Sequence, residues 1–250
     1  MVLEHLAASD PELTFKGGTC LAKIHGDFYR LSEDLDFSIS SPLSASRKER
    51  SRRADRLKSV IGEIPKHLPA LQIVEPLRGA NESTQYNAVV GYESLLDAHE
   101  EPLSIEVGLR EPILTTGHRG ASKTMLLNPI SGQPLVDAFP VLCLSYQEAM
   151  AEKLRAALTR RDVAIRDFFD VDYAVRNGAL DTGDRALLEL LRRKLQVPGT
   201  AAVDVLPGRM GQLRGQLESE LRPVLRERDF TQFDLDRAVA IVDTVARQLG

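Results

Sequence analysis

The chain has 250 residues, enough for one large domain or two small ones around a full apolar core. A hydrophobic share of 43% and a charged share of 27% exclude gross disorder. A net charge of −4 excludes nucleic-acid binding by bulk charge, so any such partner must be gripped by a local patch. Residues 1–6 lack the basic segment and apolar run of a signal peptide, and no stretch approaches the ~20 apolar residues needed to cross a bilayer. Cys20 lies in an apolar context and reads as a buried free thiol, as does Cys143. The expectation is a reduced, cytoplasmic protein with no membrane partner.

In chain order, residues 1–12 predict a short helix, with Asp10-Pro11 turning into a strand around 13–15. Lys16-Gly17-Gly18-Thr19 follows. Neither glycine carries a Cβ, so the backbone amides of this turn can approach an anion closely. A helix is predicted over 19–29, with Leu21, Ile24 and Phe28 on one side and Thr19 placed to cap its start, where amides and dipole favour a phosphate. Next comes Arg30-x-Ser32-x-Asp34-x-Asp36. Alternation turns Leu35, Phe37 and Ile39 toward a core and puts Asp34, Asp36, Ser38 and Ser40 on the opposite face. Two carboxylates side by side on a strand repel. Water screens such a pair on any half-exposed strand, or a divalent cation bridges it. Mg²⁺ is usually held by one or two carboxylates plus substrate phosphates, which suits the number available. A glycine turn beside such a strand is what phosphoryl or nucleotidyl transfer needs, with ions ~3.5–4 Å apart in a two-metal site.

Residues 46–64 predict an amphipathic helix stopped by Pro65, with Ala54, Leu57, Ile61 and Ile64 inward. Its other faces carry Arg47, Lys48, Arg50, Arg52, Arg53, Arg56 and Lys58, which read either as a solvated face or as a grip on a nucleic-acid backbone. Strands are expected at 71–74, 85–90 and 103–109, with turns at 78–81 and 97–102. Glu106, between Ile105 and Val107, either meets solvent or joins the two aspartates on the polar face of the sheet. Residues 110–138 read as an irregular connection, with a domain boundary near 139–140. Helices are then predicted at 145–158, 162–177, 182–195, 207–226 and 234–249. Ser145-x-x-Glu148 has the form of a capping box, and Asp162 is placed to cap the next helix. Lys153 borders the apolar stripe of Met150, Leu154 and Leu158. Arg166 and Asp170 are spaced for an ion pair, and Asp167 shares a face with Asp170.

Taken in order, Lys16-Gly17-Gly18-Thr19, Arg30-x-Ser32-x-Asp34-x-Asp36, Glu152-Lys153-Leu154-Arg155-Ala156 and Arg166-Asp167-Phe168-Phe169-Asp170 resemble the four motifs of the AbiEii-type, or MenT-like, nucleotidyltransferase toxins. These form a branch of the DNA polymerase β-like superfamily. The resemblance spans about residues 15 to 170. It implies an α+β fold, with a polymerase β-like core on a mixed sheet over 1–140 and a helical domain over 141–250 completing the active-site cleft. It further implies transfer of a nucleoside monophosphate from an NTP to an RNA acceptor, the tRNA 3′ end, by the toxin of a bacterial toxin–antitoxin pair with a cognate antitoxin.

The site residues follow from the same resemblance. Asp34, Asp36 and a third acid, Glu106, would hold Mg²⁺. Lys16, Gly17, Gly18, Thr19, Ser32, Arg30 and Lys153 would bind the triphosphate, with Arg30 alternatively bracing the loop. Asp167 or Asp170 would orient Lys153, bind metal or help deprotonate the acceptor, and spacing does not separate the two. Arg47, Arg50, Arg52, Arg53 and Arg56 would hold RNA. Two other readings stand beside this one: γ-phosphate transfer by the same residues, and a non-catalytic nucleotide- or partner-binding module. There is no G-x-x-x-x-G-K-[S/T] run, which disfavours a Walker-type NTPase.

Overall fold

A computed structural model of the chain describes residues 1–27, 29–94, 99–204 and 208–250. Phe28, the part of the expected turn at residues 97 and 98, and residue 207 at the expected start of a helix lie outside the described residues. Contacts divide the chain into two units. One is residues 1–27 with Ser32–Ser145, and the other is Tyr29–Leu31 with Tyr146–Gly250. The division falls after Ser145 rather than near 140, because Phe139–Cys143 is a strand of the sheet.

The first unit is built on a seven-stranded mixed sheet in the order β3-β4-β5-β2-β1-β7-β6. Its strands are β1 (Thr14–Lys16), β2 (Leu35–Ser38), β3 (Leu71–Ala80), β4 (Gln85–Glu93), β5 (Glu100–Gly108), β6 (His118–Ser122) and β7 (Phe139–Cys143). Alternation along β2 is as expected: Leu35, Phe37 and Ile39 are buried. They share a core with Phe15, Tyr86, Val90, Ile105 and Val107, covered by Leu3 and Leu6 of helix α1 (Val2–Ser9) and Ala54, Leu57 and Ile61 of α3 (Arg47–Gly62). Helix α2 begins directly at Gly17 and runs as Gly17–Cys20, widening into a π-helical turn over Leu21–His25.

Several expectations change here for physical reasons. Thr19 does not cap α2, whose N-cap is Lys16. A capping box starts α3, where the Glu49 N–H donates to Ser46 Oγ and the Ser46 N–H donates to Glu49 Oε2. Pro65 does not end a helix; it sits in the first turn of α4 (Ile64–His67), where a missing N–H costs nothing. Strand β3 runs on through Arg78 and Gly79, so the turn moves to Asn81–Ser83. There three non-glycine residues hold positive φ, and the Arg50 guanidinium donates to the Glu82 carbonyl. The 110–138 stretch contributes β6, antiparallel to β7.

The second unit is helical. It comprises α5 (Tyr146–Thr159), α6 (Ile165–Arg176), α7 (Arg185–Leu195), α8 (Gly208–Gln216), α9 (Glu227–Gln232) and α10 (Leu235–Leu249). Met150, Leu154, Leu158, Phe169, Leu191 and Val242 are buried within it. Asp184 and Asp234 cap α7 and α10. Asp162 does not cap α6, whose N-cap is Ala164. The helix expected over 207–226 is broken after Gln216 by a π-helical turn and then a short 3₁₀ turn carrying Pro223. Glu148, expected in a capping box, is fully buried and pairs with Lys194 at 2.8 Å, while Glu152 takes the same ammonium at 2.9 Å.

Candidate active site

Each unit carries one cluster of the residues singled out by the sequence. In the sheet, register decides which side chains share a face, because residues paired across strands point to the same side. Lys16 pairs with Asp36, Asp36 with Glu106, Glu106 with Asn87, and Asn87 with Arg78. One row of polar side chains therefore crosses five strands on the face turned away from Leu35, Phe37, Ile105 and Val107. Glu106 lies beside Asp36 on that face and is exposed there. Asn87 and Arg78 were not anticipated. Their signal lay in the alternation of β4 and β3, which shows only once the register is known.

The glycine turn is locked onto this row. Gly17 has φ +74°, a conformation natural to glycine, and a Cβ placed on it would stand 2.0 Å from Asp36 Oδ2. The Asp36 carboxylate thus rests where a side chain at position 17 would be. The Thr19 hydroxyl donates to the Asp34 carbonyl at 2.6 Å, tying the start of α2 to the segment entering β2. That bond makes the Thr19 hydroxyl a structural clamp. The Lys16 ammonium lies near Ser38 and Gly108, 3.7 Å from where a Cβ on Gly108 would be. Asp34 is exposed, Asp36 and Ser32 are half-buried, and Glu106 is exposed.

The donor set is made only of carboxylate oxygens, the ligands Mg²⁺ prefers. Among the described residues the oxygens of Asp34, Asp36 and Glu106 do not close to within 4.8 Å as a three-ligand set. A cation would be shared between one or two of them and oxygens of the substrate, which is the usual manner of Mg²⁺. The residues fit such an ion.

In the helical unit, Arg30 is buried and makes a bidentate pair with Asp170, Nε to Oδ1 at 2.6 Å and Nη2 to Oδ2 at 2.9 Å. Lys153 bridges Asp167 and Asp170, its Nζ 2.9 Å from each, and Arg160 meets Asp167 at 3.0 Å. Burial opposes the charge of Asp170, but Arg30 and Lys153 outweigh it and hold the carboxyl down at about 2. Burial likewise opposes the charge of Lys153, yet Asp167 and Asp170 raise its pKa above the ordinary lysine value. Tyr146 is pushed up to about 12 by partial burial and by the nearby Asp170 charge. Asp170 therefore takes Arg30 and Lys153 as its partners rather than the expected i,i+4 Arg166. The Arg30 guanidinium donates to Asp170 and to the Leu31 carbonyl. Arg160 was missed because it reads as a helix-ending residue.

The arginines of α3 divide in two. Arg50 donates to the Ala45 and Glu82 carbonyls, Arg53 to that of Ser40 and Arg56 to that of Ser9. Arg47 and Arg52 are exposed, and their side chains donate no hydrogen bond among the described residues.

Residues 2–245 match the family model described as the nucleotidyl transferase AbiEii toxin of type IV toxin–antitoxin systems. No curated protein matches the sequence. Among solved structures, MenT4, a nucleotidyltransferase toxin from Mycobacterium tuberculosis H37Rv, superposes with a TM-score of 0.55 at 19% identity, over 99% of this chain and 91% of that one. JHP933 from Helicobacter pylori gives 0.52 at 16% identity, over 99% and 87%. At these identities the likeness is one of fold.

Proposed function

The chain belongs to the AbiEii family of nucleotidyltransferase toxins of toxin–antitoxin systems, and from that premise we propose that it is a cytoplasmic, Mg²⁺-dependent enzyme that transfers a nucleoside monophosphate from an NTP to the 3′ end of a tRNA. The observation that carries the reading is the row Lys16, Asp36 and Glu106 set against the amide end of α2. Asp36 and Asp34, with Glu106 beside them, would hold Mg²⁺, which when bound neutralises charge on the triphosphate. The amides of Gly17, Gly18 and Thr19 and the Lys16 ammonium bind and orient the phosphates. For Lys153, Asp167 and Asp170 the proposal keeps the phosphate-neutralising and acceptor-activating roles implied by motif order.

The acceptor hydroxyl oxygen bonds to the α-phosphorus and loses its proton to a carboxylate. The bond from that phosphorus to the bridging oxygen breaks, and pyrophosphate leaves with the electron pair. Chemistry of this kind is mostly positioning and charge placement, the tasks these residue types suit. Exposed Arg47 and Arg52 are the proposed RNA contacts, and a cognate antitoxin is the expected protein partner.

The test is incubation with total tRNA, Mg²⁺ and each NTP, labelled at the α- or the γ-phosphate in parallel. Transfer of the α label with pyrophosphate release is expected. Transfer of the γ label would instead make the protein a kinase. No transfer, together with no Mg²⁺-NTP binding by calorimetry, would leave a binding module. Asp34→Ala should abolish transfer and keep the fold, since it removes repulsion between acids. A folded Asp34→Ala protein that still labels RNA would refute the assignment.

A further inference from the structure

On the other face of the sheet from the acids lies a set of soft ligands that nucleotidyl transfer does not use. Cys143, at the end of β7, is in register with Phe15 and so points to the core side, opposite Lys16 and Asp36. Cys20 ends α2, and His25 ends the π-helical turn that follows it. The sulfurs of Cys20 and Cys143 and a ring nitrogen of His25 all lie within 4.8 Å of one another, the one group of three among the described residues to do so. His25 Nε2 is 3.8 Å from Cys143 Sγ and 3.0 Å from the Leu144 carbonyl. Both cysteines are fully buried, and neither forms a disulfide.

Two features argue that this convergence is built. Zinc–sulfur bonds of ~2.3 Å and zinc–nitrogen bonds of ~2.0–2.1 Å on a tetrahedral centre set a sulfur and a nitrogen ligand ~3.5–3.6 Å apart, and the Cys143–His25 separation of 3.8 Å is within a few tenths of an ångström of that. The second is the helix itself. In an α-helix, residues five apart point about 140° away from each other, so Cys20 and His25 could not share a ligand. The chain widens between them: the Gly26 N–H donates to the Leu21 carbonyl, five residues back, and the π-helical turn swings His25 round toward Cys20. That turn is also pressed onto β6, where a Cβ on Gly120 would come within 2.1 Å of Ile24 Cγ2.

We propose that Cys20, His25 and Cys143 are a structural binding site for Zn²⁺, pinning the far end of α2 to β7 and so fixing the helix whose first residues are Gly17, Gly18 and Thr19. Thiolate and imidazole ligands select zinc over the hard cation suited to the acids across the sheet. On binding, the two thiols release their protons to solvent, and His25 exchanges its contact with the Leu144 carbonyl for coordination. His118 is the imidazole available for the fourth position: its ring centroid lies 5.7 Å from that of His25, and its carbonyl accepts from Cys143 Sγ–H at 3.2 Å.

The test uses the whole chain, stripped with a chelator under reducing conditions and titrated with Co²⁺ as a spectroscopic stand-in and then with Zn²⁺. The expected result is a thiolate-to-cobalt charge-transfer band saturating at one equivalent and bleached by one equivalent of Zn²⁺, while excess Mg²⁺ leaves it unchanged. Zinc at 100-fold its dissociation constant should raise the melting temperature by about 5–10 °C for a protein of this size. Cys143→Ser and His25→Ala, each with a cooperative melt of its own, should lose the band, and His118→Ala should weaken binding. No band and no zinc-dependent melting shift in the unmodified chain would overturn the proposal. Formation of a Cys20–Cys143 disulfide in the zinc-loaded protein at the same rate as in the stripped protein would also overturn it. None of these readouts involves an NTP, so they stand or fall apart from the transferase reading.

Discussion

Replacing Gly17 by alanine should disable the proposed active site without touching a charged group. The new methyl would start 2.0 Å from Asp36 Oδ2 and must reach ordinary contact at about 3.4 Å, a displacement of about 1.4 Å. Rotating the carboxylate is not enough, because Cβ of Asp36 is itself only 2.8 Å away, so the pairing of β1 with β2 has to open. Position 17 also holds φ +74°, which costs a non-glycine residue about 1–2 kcal/mol. Overpacking adds about 1–3 kcal/mol. The expected destabilisation is therefore about 2–5 kcal/mol, read by urea unfolding. In label-transfer assays the loss should reach about 10²-fold or more, since a catalytic group displaced by ~1 Å costs that much. Gly62→Ala is the control, because a Cβ there meets nothing within 4 Å. A Gly17→Ala protein within about 1 kcal/mol of the parent, and equally active, would refute the seating of Asp36 on the glycine.

Arg30→Met should destabilise the helical unit by about 3–5 kcal/mol, because it strands the buried Asp170 charge with Lys153 as its remaining cation; chemical denaturation measures this. Acid should expose the same group. The folded pKa of Asp170, about 2, lies below its unfolded value near 3.8, so the stability it contributes is complete above pH ~4 and lost as pH falls toward 2. That contribution is about 2 kcal/mol, and Asp170→Asn should flatten this part of the stability–pH profile. Arg47→Ala and Arg52→Ala should each lower the slope of log K against log salt for tRNA binding by about 1, in filter binding over a salt series. Arg56→Ala should instead cost stability, since its guanidinium holds the Ser9 carbonyl at 2.7 Å.

What could be read from the sequence follows the range of the interactions. The alternation around Leu35, Phe37 and Ile39 was legible because a strand buried on one face writes its period into adjacent residues. Motif order pointed to Lys16, Asp34 and Asp36 together, and the strand register sets Lys16 beside Asp36. The partner of Asp170 was not. Helical spacing offers Arg166 at four residues, but an exposed pair of that kind contributes only a few tenths of a kcal/mol. A bidentate, buried pair with Arg30, 140 residues away in the chain, outweighs it. Residues 139–140 read as a domain boundary, yet they begin a strand that tolerates Pro140 between parallel β1 and antiparallel β6. The approach of Cys20 to His25 was hidden because no sequence rule places a π-helical turn.

Arg30 also bears on how the protein is made. It leaves the ribosome well ahead of Asp170, and at about 5–20 residues per second the guanidinium waits roughly 7 to 28 s for its carboxylate. A gene fragment starting after Ser145 never receives it. Such a fragment would have to enclose Asp170 without its strongest counter-charge, so a separately expressed C-terminal half should aggregate unless the short Tyr29–Leu31 segment is supplied along with it.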